Sequence, residues 1–216
     1  MATAGTLELD LAGFRNEPYT DFTMPGNRAR MEAAQANVRS RLGREYDLLL
    51  GGDRIRTDEK LLSINPARPE EVVGVLQKAT VEQAARAVET AYRNFPHWSK
   101  TPAEARVRMA LRLAAVLRER KFEFDAWLVF EAGKTWPEAE AEVAEAIDFC
   151  EYYAREMARL AGPQAVVQLP GERDEMRYLP LGVGVVIPPW NFALAILCGM
   201  TVAALVTGNT VVIKPS

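Results

Sequence analysis

The chain has 216 residues, 49% of them hydrophobic and 25% charged, with a formal net charge of -3. Those values describe a soluble globular chain of one large domain or one and a half small ones, and the absence of a lysine or arginine run argues against nucleic acid as a partner. Met1 to Pro18 includes Glu8, Asp10 and Glu17 and has no apolar segment after a basic start, so it does not read as a signal peptide, and a cytoplasmic location is expected.

After an irregular arm, Asn27 to Leu42 reads as a helix closed by Gly43. Tyr46 to Leu50 and Arg54 to Thr57, joined by Gly51-Gly52-Asp53, read as a hairpin. Leu61 to Lys78 reads as extended, with Pro66 and Pro69 marking a turn before the run Val72 to Leu76. The period then changes. Thr80-Val81-Glu82-Gln83 and Thr101-Pro102-Ala103-Glu104 both have capping-box spacing, the second with proline at the first helical position. The first of these helices places Val81, Ala84, Ala85, Val88, Ala91 and Tyr92 on one stripe and stops before Pro96, which leaves His97 in a loop; the second runs to about Arg120. A third passes through Trp127 to Gly133. A long fourth runs from Thr135 to Leu160, with Val143, Ala146, Ile147, Cys150, Ala154 and Met157 toward the core. Its early glutamates, Glu138, Glu140 and Glu142, are expected to form a solvated face favoured by the helix dipole. Ala165 to Leu169, Pro170-Gly171 and Met176 to Leu179 read as a hairpin with a charged tip. Cys150, Cys198 and His97 have no metal-ligand spacing and read as structural residues, so no metal is expected.

Between Leu181 and Ile213 there is no charged side chain. A bilayer span needs about 20 uninterrupted apolar residues, whereas this run is broken by Pro188-Pro189 and Gly208-Asn209. Gly182 to Ile187 and Thr210 to Ile213 are short and β-branched, as in strands buried on both faces, and Phe192 to Val206 fits a buried helix. Two parallel strands joined by a helix make a βαβ unit, and ligands of open α/β sheets gather at the carboxyl ends of such strands. Those ends are Pro188-Pro189-Trp190-Asn191 and Lys214-Pro215-Ser216.

Asn191, just past a buried strand, can donate a hydrogen bond without bringing charge into an apolar cleft, which is what an oxyanion site needs. A plain asparagine helix cap for Phe192 onward fits the same pattern. Lys214 ends the second strand, where its ammonium can meet a ribose or phosphate; a solvated strand end is the bland alternative.

Ile187-Pro188-Pro189-Trp190-Asn191-Phe192, followed by Thr207-Gly208-Asn209-Thr210-Val211-Val212-Ile213-Lys214-Pro215-Ser216, resembles the aldehyde dehydrogenase superfamily. Phe14-Arg15-Asn16-Glu17-Pro18, Glu131-Ala132-Gly133-Lys134, Glu145-Ala146-Ile147-Asp148-Phe149 and Glu151-Tyr152-Tyr153-Ala154 resemble its branch that oxidises L-glutamate γ-semialdehyde, the 1-pyrroline-5-carboxylate dehydrogenases of proline degradation. The resemblance covers nearly the whole chain. It implies an α/β fold: the amino-terminal part of the aldehyde dehydrogenase fold, with a helical layer, the first βαβ unit of a Rossmann-like parallel sheet and a β-hairpin arm. The implied division is an arm and helix over 1–45, a hairpin and helical part of the coenzyme-binding domain over 46–162, an oligomerisation hairpin over 163–180, and the first βαβ unit of an incomplete sheet over 181–216.

By the same resemblance Asn191 would be the oxyanion-hole amide, Ile187, Pro188, Pro189 and Trp190 would line NAD, and Lys214 would bind its adenosine ribose hydroxyls. NADP stays open as the alternative coenzyme. Phe192 and Glu145 would belong to the substrate pocket, where Glu145 can pair with the α-ammonium of the semialdehyde; one more exposed glutamate on an acidic helix is its other reading. The implied partners are a small aldehyde substrate and, in the full-length form, further copies in a homo-oligomer, with neither nucleic acid nor membrane. Ala193 departs from the proline found in many relatives. Superfamily enzymes attack the aldehyde with a cysteine thiolate, transfer hydride to the nicotinamide, and hydrolyse the thioester with glutamate-activated water. Cys150 and Cys198 lie in contexts that do not match that nucleophile. The chain is therefore expected to be a fragment, inactive alone, with the edge of Thr210 to Lys214 unpaired. The alternative is a non-catalytic truncated paralogue that assembles with full-length subunits. A free-standing dinucleotide-binding domain is disfavoured, since no Gly-x-Gly-x-x-Gly turn follows the first strand.

Overall fold

The computed structural model describes residues 11–216. Helix α1 (Pro25–Arg39) leads through Gly43, whose φ of 74° turns the chain, into strand β1 (Arg44–Tyr46). Strands β2 (Leu48–Leu50) and β3 (Asp53–Ile55) form the expected hairpin around Gly51 and Gly52, both at positive φ as a two-residue turn requires. The hairpin is shorter than its sequence pattern, because Tyr46 belongs to a different sheet. There β1 pairs parallel with β5 (Arg68–Gln77), and β4 (Lys60–Asn65) pairs antiparallel with β5 on its other side.

Helix α2 (Val81–Trp98) opens on the reciprocal Thr80–Gln83 box, in which the Gln83 amide N–H donates to Thr80 Oγ1 and the Thr80 N–H to Gln83 Oε1. It does not stop before Pro96. The helix carries Pro96 in its last turn and ends at Trp98, whose indole N–H is anchored on the Leu205 carbonyl at 3.1 Å; His97 is helical, not in a loop. The second expected box does not form. Pro102 takes the cap position of α3 (Ala103–Glu119), and the Thr101 hydroxyl turns back to the His97 carbonyl. Helix α4 (Lys121–Ala132) ends at Gly133 in the left-handed region, and α5 (Trp136–Ala161) follows at once, its first turn held by the Glu138 carboxylate accepting from Thr135 N and Oγ1.

All six α5 residues read as core-facing are buried, and they pack with α3, α4 and α6 (Ala195–Val206) in the main core. A fully buried aliphatic side chain contributes about 1.5–3 kcal/mol, so this helical layer is the centre of stability. Helices α5 and α6 approach closely because Gly199 has no side chain: a Cβ there would lie 2.8 Å from the Phe149 ring. Cys150 and Cys198 face each other in this seam, sulfur to sulfur at 3.4 Å. Strands β6 (Val183–Val186) and β7 (Thr210–Ile213) pair in parallel, Val183 with Thr210 through Val186 with Ile213, and α6 is their crossover. Thr210 Oγ1 donates to the Ala91 carbonyl, tying α2 to β7.

Three further expectations are corrected. Residues 163–181 form no ladder: Gly171 turns the chain at φ 84°, the Glu172 N–H donates to the Leu169 carbonyl across the turn, and the Gln168 side chain bridges to Asp174 N and O. Without backbone pairing between its legs the arm lacks the cross-strand pairs that hold strands together. The α2 stripe is not core, since Val81, Val88 and Tyr92 are exposed. And α6 begins at Ala195, after a 3-10 turn at Trp190–Phe192, not at Phe192.

Candidate active site

The two carboxyl ends singled out by the sequence lie side by side. Val186 and Ile213 are the last partners of the parallel ladder, and the Lys214 N–H donates to the Val186 carbonyl at 2.9 Å. The chain leaves β6 through Ile187, buried Pro188 and Pro189, then makes the 3-10 turn that carries Trp190, Asn191 and Phe192. Ile187, Trp190, Asn191 and Lys214 are exposed along this rim. Trp190, a large apolar ring at 78% exposure, is the kind of surface that a bound ring system would cover.

The capping alternative for Asn191 fails. The free amides at the start of α6 belong to Leu194 and Ala195, and both donate to Glu142 Oε1, at 2.7 and 3.2 Å. Asn191 lies a turn earlier, and no side-chain hydrogen bond of its carboxamide is found among the described residues. For Lys214 the solvated strand end and the ligand contact both remain compatible with its exposure.

Glu142 and Glu140 overturn the reading of a solvated acidic face. Glu142 is 1% exposed and Glu140 2%. Glu140 Oε1 pairs with Lys121 Nζ at 2.5 Å and accepts from Thr20 N, while Glu142 Oε2 pairs with Lys134 Nζ. Only Glu138 is exposed, at the cap. Carboxylates leave water here because each meets an ammonium and backbone donors, which compensate the desolvation.

Lys134 continues the network toward the turn: its ammonium lies 4.3 Å from the centroid of the Phe192 ring. Glu145, half-buried one turn along α5 from Glu142, completes the group. Burial pushes its carboxyl above the usual range, Glu142 and Asp148 add to that rise, and Lys134 opposes it. Asp148 in turn holds the amino-terminal arm, accepting from Asn16 Nδ2 and Glu17 N, both at 2.7 Å. Glu17 pairs with Arg118 at 2.6 Å, and Phe14 meets Tyr152 edge-on at 5.5 Å. The arm segment Phe14 to Pro18 is thus seated on the α5 segment Glu145 to Ala154, two motifs that are far apart in sequence.

The aldehyde dehydrogenase family model matches residues 55–216. The chain belongs to the aldehyde dehydrogenase family. It is 55% identical over 203 residues to 1-pyrroline-5-carboxylate dehydrogenase of Geobacillus kaustophilus, an alignment that covers 94% of this chain and 39% of that protein. Among solved structures, a 1-pyrroline-5-carboxylate dehydrogenase from Thermus with bound NAD superimposes with a TM-score of 0.93 at 47% identity, over 96% of this chain and 40% of that one. The enzyme of the same name from Mycobacterium tuberculosis matches with a TM-score of 0.84 at 28% identity, over 96% of this chain and 39% of that one. The chain therefore spans about two fifths of the length of the relatives it matches, and its α/β architecture is that of the amino-terminal part of the family fold.

Within that family fold the structure brings Asn191, Phe192 and Glu145 into one neighbourhood through Lys134 and Glu142, and it sets Ile187 to Trp190 and Lys214 on one rim. Sequence reasoning missed Lys134 and Glu142 as members of the group. A signal existed for Glu142: it lies three residues after core Ala139 and four before core Ala146, on the apolar stripe of α5. The two cysteines lie away from this rim: both pack in the α5–α6 core, Cys150 is buried, and their mutual contact raises the Cys150 thiol and lowers that of Cys198.

Proposed function

We propose that this chain supplies the coenzyme-binding and oxyanion-binding portion of an enzyme that oxidises L-glutamate γ-semialdehyde, formed from 1-pyrroline-5-carboxylate, to L-glutamate in proline degradation. The observation that carries the reading is the placement of an uncapping, exposed Asn191 on the turn beside the paired carboxyl ends of β6 and β7. Relatives that share more than half of these residues carry that activity in their name.

The residues fit a dinucleotide. Ile187 and Trp190 are exposed, the strand ends are open, and Lys214 brings an ammonium beside them. Ile187, Pro188, Pro189 and Trp190 would line NAD, which a Thermus relative binds, and Lys214 would meet its ribose hydroxyls; NADP fits the same description. When bound, the coenzyme supplies the hydride acceptor. This chain's part in the chemistry is to bind and orient: the Asn191 carboxamide donates to the aldehyde oxygen as negative charge gathers there, and Glu145 holds the substrate's α-ammonium against Phe192. A thiolate from outside Cys150 and Cys198 attacks the carbonyl carbon. The exposed Val167, Leu169, Met176, Tyr178 and Leu179 of the arm support a role in pairing subunits, and the location proposed for the enzyme is the cytoplasm. Among the described residues no helix is long and apolar enough to cross a membrane.

The test uses the gene product at its native length. NAD reduction with the semialdehyde is expected, and Asn191→Ala should lower kcat by roughly 10²–10³ with little change in the NAD affinity. Full activity in that variant would remove Asn191 from the chemistry. Titration of the 216-residue chain by itself with NAD should show weak binding or none, and a dissociation constant like that of the native-length protein would contradict the shared-site reading.

A further inference from the structure

The feature that the proposed chemistry leaves unexplained is the buried Glu142–Lys134 pair. Glu142 uses both oxygens on one target from two sides. Oε1 takes the amides of Leu194 and Ala195, which follow the Asn191–Phe192 turn, and Oε2 takes the ammonium of Lys134, which lies against the Phe192 ring within the turn. A carboxylate serving only as a helix cap would need the first contact and not the second. The Lys134 backbone follows Gly133, which sits at φ 65° with Pro66 Cγ 3.0 Å from the position a Cβ would take. Its side chain is 15% exposed and that of Glu142 0%, so the pair is shielded from water and held in one arrangement.

We propose that Glu142 and Lys134 are positioning residues for the turn that carries Asn191 and Phe192: the carboxylate clamps the backbone behind it, and the ammonium anchored on that carboxylate braces the Phe192 ring. The proposal rests on the reading of Asn191 and Phe192 as carbonyl-binding and substrate-binding groups. A rigid turn keeps the carboxamide where charge develops, so that no reorganisation is needed during reaction. The same pair acts on Glu145, one turn along α5 from Glu142: the Glu142 charge raises the Glu145 pKa and the Lys134 charge lowers it.

Two measurements on the native-length protein separate this role from a general contribution to folding. The first is hydrogen exchange, which needs no activity. In Glu142→Ala the Leu194 and Ala195 amides should exchange about tenfold faster or more, the loss of charge-assisted bonds, while peptides of α3 and the second half of α5 keep their rates. Glu142→Gln, which retains an acceptor oxygen, should restore most of the protection. The second is the acid limb of kcat/KM for the semialdehyde. Lys134→Met removes a cation that lowers the Glu145 pKa and should move that limb to higher pH; Glu142→Gln removes an anion that raises it and should move the limb to lower pH. In both variants kcat should fall about tenfold or more with KM for NAD unchanged.

Unaltered exchange at Leu194 and Ala195 in Glu142→Ala would overturn the clamp, as would faster exchange spread evenly over the helical layer. Should Glu142→Ala not fold, Glu142→Gln and Lys134→Met decide the matter, and wild-type kcat with an unmoved acid limb in both rejects the brace. If the unmodified protein shows no oxidation of the semialdehyde, the functional reading fails, and the exchange pattern still answers for the clamp.

Discussion

Asp125 is fully buried beside Lys121 and Glu140, and neither its two oxygens nor Glu140 Oε2 finds a hydrogen-bond donor in the ionised state. A proton on Asp125 solves this, since the carboxyl can then donate to Glu140. Burial raises the Asp125 pKa most, the neighbouring Glu140 charge raises it further, and Lys121 partly opposes the rise. The sign follows from linkage: a carboxyl with a higher pKa folded than unfolded adds stability that is complete below the ordinary carboxylate range and is lost as pH rises through the elevated value. Urea midpoints should therefore decline as pH rises from weakly acidic to alkaline. Asp125→Asn, which keeps a donor toward Glu140 and has no proton to lose, should flatten that decline; an equally steep decline would exclude Asp125 as its source. Gly133 makes a second prediction. With φ at 65° and a Cβ position 3.0 Å from Pro66 Cγ, Gly133→Ala should lower stability by about 1–2 kcal/mol, read as a lower urea midpoint. The end of the helix at Gly133 was legible in the sequence, and the structure adds its left-handed backbone. The burial of Glu140 and Glu142 was not, because three alternate glutamates near a helix start look alike until Lys121 and Lys134 are seen beside two of them.

Elements show a similar division. The helix starts at Thr80 and Thr135, the turn at Gly51-Gly52 and the six core positions of α5 follow from local spacing, and the structure has them. Pro96 did not end its helix: it lies in the last turn of α2, and Trp98, the final helical residue, is anchored on the Leu205 carbonyl of α6. The 163–181 segment did not become a hairpin: its legs form no ladder, whereas β2 and β3 pair as a two-stranded hairpin of their own. Between α5 and α6 the decisive contact is Gly199 on Phe149. Gly199→Ala forces the ring or the helix to move, and overpacking of this kind lowers stability by about 1–3 kcal/mol; thermal unfolding of the variant at the wild-type temperature would count against this close seam. Helix α6 itself, free of charge in sequence, receives charge at both ends from elsewhere. Glu142 sits at its amino end, and Arg106 Nε donates to the Val206 carbonyl at its carboxyl end, 2.9 Å away. Both signs oppose the helix dipole in the stabilising sense.

At the scale of the molecule, the chain exposes 13853 Å², against about 9,900 Å² for a compact monomer of this mass. The apolar share of that excess includes the α2 stripe of Val81, Val88 and Tyr92, the arm with Val167 and Leu179, and Val185 and Ile213 on the two-stranded sheet. Apolar surface of this extent associates. The 216-residue chain should self-associate with rising concentration, and Val88→Glu together with Leu179→Glu should reduce this without lowering the unfolding midpoint. Light scattering that shows a monomer at all concentrations would refute the expectation.

The sequence by itself determined the βαβ unit, the end of the sheet at which Asn191 and Lys214 emerge, and the family, because β-branched runs, turn residues and motif order are local properties of neighbouring positions. Only the tertiary structure decided where the charges act. Glu142 reaches across 52 positions to the amide of Leu194, and Arg106 across 100 to the carbonyl of Val206. Whether a glutamate is solvated or is buried against the start of another helix depends on the donors packed against it, and those come from other elements of the fold.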